Sequence, residues 1–175
     1  AQKLGSLRES TVGGCVWFDF DNDGRPDRYL VSGKPLEEGI HPYPLKTPPA
    51  TPPHNHLYRN NGDGTFTDVT EKAGVAANIY GMAAIAADFD NDGFTDLFVT
   101  GYGRAILYRN KGDGTFEDVT AKAGINVDGW SISSAWLDYD RDGCVDLFVG
   151  RYVKFDPKYR NFYAADNYPG PLDYA

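Results

Sequence analysis

The chain has little with which to cross-link or anchor itself. Two cysteines, Cys15 and Cys144, are too few for a disulfide scaffold. They can pair, or stand as two free thiols. Long apolar runs are missing, Met82 to Ala87 being among the longest, so no transmembrane helix fits. No Asn-x-Ser/Thr glycosylation acceptor occurs. Cations are scarce: 17 Lys and Arg face 25 Asp and Glu, for a net charge of −8. This balance argues against nucleic acid as a partner, because phosphate binding needs a basic surface. Catalytic signatures are missing too. There is no Gly-x-Ser-x-Gly, phosphate loop, His-Glu-x-x-His or Cys-His pairing. Glu37, Glu38, Asp128 and Asp156 form no acid-base pattern. No enzyme is expected. A start at Ala1-Gln2 suits a mature chain cut after a small residue. Aromatics, by contrast, reach 14% of the chain, with 12 Tyr and 10 Phe, enough to build a core.

Acidity is concentrated. Twelve Asp lie in three blocks, each Asp-x-Asp-x-Asp-Gly-x-x-Asp. The first holds Asp19, Asp21, Asp23 and Asp27. The second holds Asp88, Asp90, Asp92 and Asp96, and the third Asp138, Asp140, Asp142 and Asp146. Four carboxylates in a compact loop repel one another, and a hard dication resolves the repulsion. Ca²⁺ takes six to eight oxygens in flexible geometry. Positions 1, 3, 5 and 9 offer carboxylates, and the Gly at position 6 permits the turn. Position 7 offers the backbone carbonyl of Arg25, Phe94 or Cys144. Three Ca²⁺ would bring the net charge from −8 to −2.

An EF-hand needs Glu at position 12, where Leu30, Val99 and Val149 stand here. The loops are followed by Arg28-Tyr-Leu-Val, Leu97-Phe-Val-Thr and Leu147-Phe-Val-Gly, which read as strands. Each loop therefore joins two strands of a hairpin. Dockerin-type repeats would need a helix at this point, and thrombospondin-type repeats more Asp and Cys.

The chain also repeats itself. Leu57-Tyr-Arg-Asn-Asn-Gly-Asp-Gly-Thr-Phe-Thr-Asp-Val-Thr returns 50 residues later from Leu107. Between residues 57–100 and 107–150, 23 of 44 positions are identical. Each unit reads as strand, Gly-Asp-Gly turn, strand, Lys-Ala-Gly corner, strand, calcium loop, strand. Four strands in two hairpins are the content of a propeller blade. Tyr58, Tyr108, Phe66 and Phe116 are expected to pack between blades, and Arg59 and Arg109 to brace carboxylates or carbonyls.

Together these motifs resemble the FG-GAP/VCBS repeats of the ASPIC/UnbV and cartilage acidic protein group, over roughly residues 13–152. The resemblance implies an all-β fold of calcium-loaded propeller blades, like those of the integrin-α head, in a secreted or cell-surface protein. It places the ligand carboxylates on the twelve Asp. The literal Phe-Gly and Gly-Ala-Pro signatures are missing, as is the C-terminal domain of the ASPIC group. Arg28 replaces Leu97 and Leu147, which suggests an edge or interface strand.

The units divide as a first calcium hairpin with a Pro-rich insertion (13–56, insertion 33–54), repeats at 57–106 and 107–150, and a Tyr- and Pro-rich tail at 151–175. Only about two and a half blades are present, whereas a closed propeller needs about four to eight. Either the chain is part of a longer propeller or blades are completed between subunits. The insertion suits a surface loop or a partner-binding arm. His54 and His56 lack a third ligand for a transition metal. A calcium-binding extracellular structural or adhesive module is therefore expected, with protein partners or self-assembly into an oligomer or polymer. A ligand- or glycan-binding propeller, or a propeller enzyme with its site elsewhere, is the alternative.

Overall fold

The computed structural model describes residues 13–33 and 54–152. Most of the Pro-rich insertion and nearly all of the tail lie outside these residues, so what the sequence suggests for them stays an expectation. Ten strands and one short helix are present among the described residues. Strands β1 (Cys15–Phe18), β2 (Asp27–Leu30), β3 (His56–Asn60) and β4 (Phe66–Asp68) form one antiparallel sheet in that order. A second sheet repeats the plan with β5 (Gly81–Ala87), β6 (Asp96–Gly101), β7 (Ala105–Asn110) and β8 (Phe116–Asp118). Strands β9 (Ser131–Leu137) and β10 (Asp146–Arg151) make a third hairpin. The all-β, four-stranded blade plan is thus present twice, with half a blade following.

Sheets and sequence repeat are out of phase. The repeat can be cut at Leu57 and Leu107, but each sheet starts at the strand before an Asp-rich loop. Backbone pairing of Tyr29 with Leu57, and of Phe98 with Leu107, joins each loop hairpin to the hairpin after it. At the Lys-Ala-Gly corner the chain turns through helix α1 (Thr70–Ala73) and stops at Gly74, whose φ of 75° is left-handed.

Strand alternation splits the apolar residues between two interfaces. Phe18, Phe20, Tyr29, Val31 and Leu57 of the first sheet pack against Ala84, Leu97, Val99, Ile106, Tyr108 and Phe116 of the second. Burying each large aliphatic or aromatic side chain here contributes about 1.5–3 kcal/mol. Phe98, Ala105 and Leu107 point the other way, toward Trp136, Leu147 and Val149 of the third hairpin. Enclosed by both interfaces, β6 is buried at every residue. Gly14 allows the close approach of β1 and β5: a Cβ there would lie 2.9 Å from Ala83 Cα.

Position in the array decides the fate of repeated residues. Tyr108 and Phe116 are core, as expected. Their counterparts Tyr58 and Phe66 are half-buried on the first sheet's outer face. There the Arg28 guanidinium lies 5.0 Å from the Tyr58 ring centre and 4.4 Å from that of Phe66. β2 pairs with both β1 and β3, so Arg28 does not mark an edge. At the other end Phe148 and Tyr139 are 62% and 81% exposed, although Phe98, the counterpart of Phe148, is fully buried.

Candidate metal centres

Each Asp-rich loop leaves one strand, folds back through two left-handed residues and enters the next strand at its last Asp. The left-handed residues are position 4 (Asn22, Asn91, Arg141; φ 54°, 56°, 65°) and position 6 (Gly24, Gly93, Gly143; φ 82°, 88°, 88°). Glycine meets that demand freely and asparagine tolerates it.

The fold-back is held by position 1. In the first loop Asp19 accepts the N–H groups of Asp23 (3.0 Å) and Gly24 (2.7 Å). Asp88 does the same for Asp92 and Gly93 (3.0 and 2.9 Å). Asp138 does so for Asp142 and Gly143 (both 3.1 Å). Position 9 anchors the far side. Asp27 accepts from the N–H of Phe20 (3.1 Å) and Asn60 (2.7 Å), and Asp96 from Phe89 (2.9 Å) and Asn110 (2.7 Å). Asp146 accepts from Tyr139 (2.9 Å). No strand corresponding to β7 follows β10 among the described residues, and all three converging carboxylates of the third loop are exposed.

Positions 1, 3 and 9 converge. One oxygen from each of Asp19, Asp21 and Asp27 lies within 4.8 Å of the others. The same holds for Asp88, Asp90 and Asp96, and for Asp138, Asp140 and Asp146. These are the only metal-capable groups of three among the described residues. The position 5 carboxylates, Asp23, Asp92 and Asp142, stand outside these triads. Each accepts the N–H of position 7: Arg25 (2.9 Å), Phe94 (3.0 Å) and Cys144 (2.8 Å). Asp23 also pairs with the Arg25 guanidinium.

Electrostatics and hydrogen bonding both fit a cation. Burial pushes the Asp96 carboxyl up to about 6, with Asp90 and Asp92 adding repulsion. Burial raises Asp27 also, and burial with Asp23 and Asp19 raises Asp21. Asp21 Oδ1 is buried and accepts no hydrogen bond. The donors are all oxygens, which suits a hard cation such as Ca²⁺ or Mg²⁺ and disfavours metals that prefer sulfur or imidazole. Arg109 reaches Asp90 (2.6 Å) and Asp92 (3.1 Å), bracing carboxylates as its sequence position suggested. In contrast, Asp63 and Asp113 are satisfied locally by Thr65 and Thr115.

His56 faces Asp68 (3.1 Å), and the His54 and His56 rings lie 4.4 Å apart. The metal-capable groups do not include them. Cys15 and Cys144 are both exposed and free. Sequence reasoning missed Asn60 and Asn110, which end the repeated Leu-Tyr-Arg-Asn strands and feed position 9. Their recurrence at a fixed 50-residue spacing was the available signal. It missed position 4 as well, where the asparagines hinted at left-handed backbone.

No curated protein matches the chain. The model of the FG-GAP-like repeat family matches residues 50–99 and again residues 88–149. Both matched segments contain an Asp-rich loop with its flanking strands, and together they span more than half of the sequence. The chain belongs to the FG-GAP-like repeat family.

Proposed function

We propose that the chain is a calcium-binding, extracellular propeller module of the ASPIC/UnbV and cartilage acidic protein group. Its role is protein–protein interaction or assembly, and no catalytic step is assigned to it. Each loop holds one Ca²⁺ through its converging Asp triad, joined by the position 5 carboxylate and the carbonyl of Arg25, Phe94 or Cys144. In the first two loops the ion neutralises charge at a buried position 9 carboxylate, and in each loop it holds the two flanking strands together. The observation that carries this assignment is Asp21 Oδ1, a buried oxygen without a hydrogen-bond donor inside a carboxylate triad. Native carboxylates are rarely left so.

Calorimetric titration with Ca²⁺ tests the assignment. About three sites per chain are expected, with Mg²⁺ binding more weakly because it demands stricter octahedral geometry. No saturable heat from a folded, metal-stripped sample would refute it.

Assembly is supported by the two ends of the array. Trp17, Tyr139 and Phe148 stand exposed at positions whose counterparts Trp136, Phe89 and Phe98 pack between sheets. Unpartnered apolar faces of this kind favour association with a further sheet. Light scattering in millimolar Ca²⁺ tests this, and a mass of one chain at all concentrations would refute self-assembly.

A further inference from the structure

The three loops are tied to one another. Asn22 Nδ2 donates to the Gly93 carbonyl (3.0 Å), and Asn91 Nδ2 to the Gly143 carbonyl (3.4 Å). Each donor is position 4 of one loop, and each acceptor is position 6 of the next. The accepting carbonyl shares a rigid peptide plane with the N–H of position 7. That N–H holds the position 5 carboxylate, Asp92 (3.0 Å) or Asp142 (2.8 Å). Rotating the plane therefore moves a carboxylate of the neighbouring loop. Between the first two loops there is a second tie. Asn110 Nδ2 donates to the Phe20 carbonyl of the first loop (2.8 Å) and the Thr95 carbonyl of the second (3.1 Å). The Asn110 N–H meanwhile holds Asp96 (2.7 Å).

We propose that Asn22, Asn91 and Asn110 are positioning residues that couple the cation sites, so that filling one loop raises the affinity of the next. The proposal rests on the calcium assignment above. In a loop without its ion, repulsion among carboxylates broadens the accessible geometries. A bound ion narrows them, and position 4, lying between carboxylates 3 and 5, is fixed with the loop. Its side chain then holds the neighbour's peptide plane, so part of that loop's ordering cost is already met. Two ties join the first pair of loops, and one longer tie joins the second pair. Coupling is therefore stronger between loops one and two. Allosteric couplings typically run from about 5- to 150-fold, and neutral hydrogen bonds belong at the low end.

The test is a Ca²⁺ titration of the full chain followed by amide NMR at Gly24, Gly93 and Gly143. Each of these N–H groups donates to position 1 of its own loop, so each reports one site. Gly24 and Gly93 are expected to shift together, more steeply than independent sites would. Asp19→Asn, which disables the first loop, should move the Gly93 midpoint to about fivefold higher Ca²⁺ and Gly143 less. Asn22→Gly keeps the left-handed backbone and removes only the donor. In that background the effect of Asp19→Asn on Gly93 should shrink. A Gly93 midpoint within twofold of wild type after Asp19→Asn would overturn the coupling. Should that variant not fold, the wild-type curves decide, and a Hill slope of one at Gly24 and Gly93 overturns it. Independent shifts sink the coupling alone. No shift at any of the three glycines sinks the calcium assignment and the coupling with it.

Discussion

Stripping the metal should cost the protein most of its thermal stability. A ligand that binds only the folded state stabilises it by about 2.7 kcal/mol at one hundred times its Kd. Three loops would supply about 8 kcal/mol, against about 5–15 kcal/mol for a typical domain. At about 2–4 °C per kcal/mol for a chain of this size, the melting temperature should fall by roughly 15–30 °C. The loss should be uneven. The first two loops hold fully buried position 9 carboxylates, Asp27 and Asp96, whereas the triad of the third is exposed. An emptied third loop can hydrate its whole triad, whereas the first and second each keep one carboxylate, Asp27 or Asp96, away from water. Circular dichroism melts in 1 mM Ca²⁺ and in excess chelator, with metal content measured in both, provide the assay. Asp21→Asn and Asp140→Asn should then be compared, the first being the more damaging. A shift below a few degrees on confirmed metal removal would refute the argument that these loops need a cation to close.

Asp90→Ala should destabilise the calcium-loaded protein by about 2–3 kcal/mol, the loss of one site. Asp63→Ala removes only a turn contact, about 1 kcal/mol, and equal losses in melts would speak against a metal site. Phe98→Ala should cost about 3–5 kcal/mol by opening a cavity between sheets. Phe148→Ala, at the same repeat position but 62% exposed, should change stability by no more than about 0.5 kcal/mol while weakening any self-association seen by sedimentation. Gly14→Val should cost about 1–3 kcal/mol through overpacking against Ala83, readable as a lowered denaturation midpoint.

Local chemistry was legible in the sequence, and long-range phase was not. The Asp-x-Asp-x-Asp-Gly-x-x-Asp spacing placed the loops, and the runs around Leu97 and Leu147 placed the strands that follow. A period, however, states only that units recur. Which hairpin hydrogen-bonds to which is settled by pairs such as Phe98 with Leu107, and those depend on tertiary packing. For the same reason Tyr58 and Tyr108 looked equivalent and are not: among the described residues, only the second has a preceding sheet to pack against. The convergence of positions 1, 3 and 9 was partly visible. That position 5 also caps its own turn, through the N–H of position 7, could not be read from the spacing. Asn110 was hidden because it acts on Phe20, 90 residues away.

Strand β6, enclosed on both faces, sets the order in which the chain should breathe. Its backbone amides have partners on both sides, in β5 and β7, and its side chains contact neither solvent nor a free end. Such amides exchange with solvent only when the whole cooperative unit opens. The hairpin β9–β10 has one internal partner and a largely exposed outer face. In deuterium the label should enter there first and reach Val99 last, so the protection map should fall away from the middle sheet toward both ends.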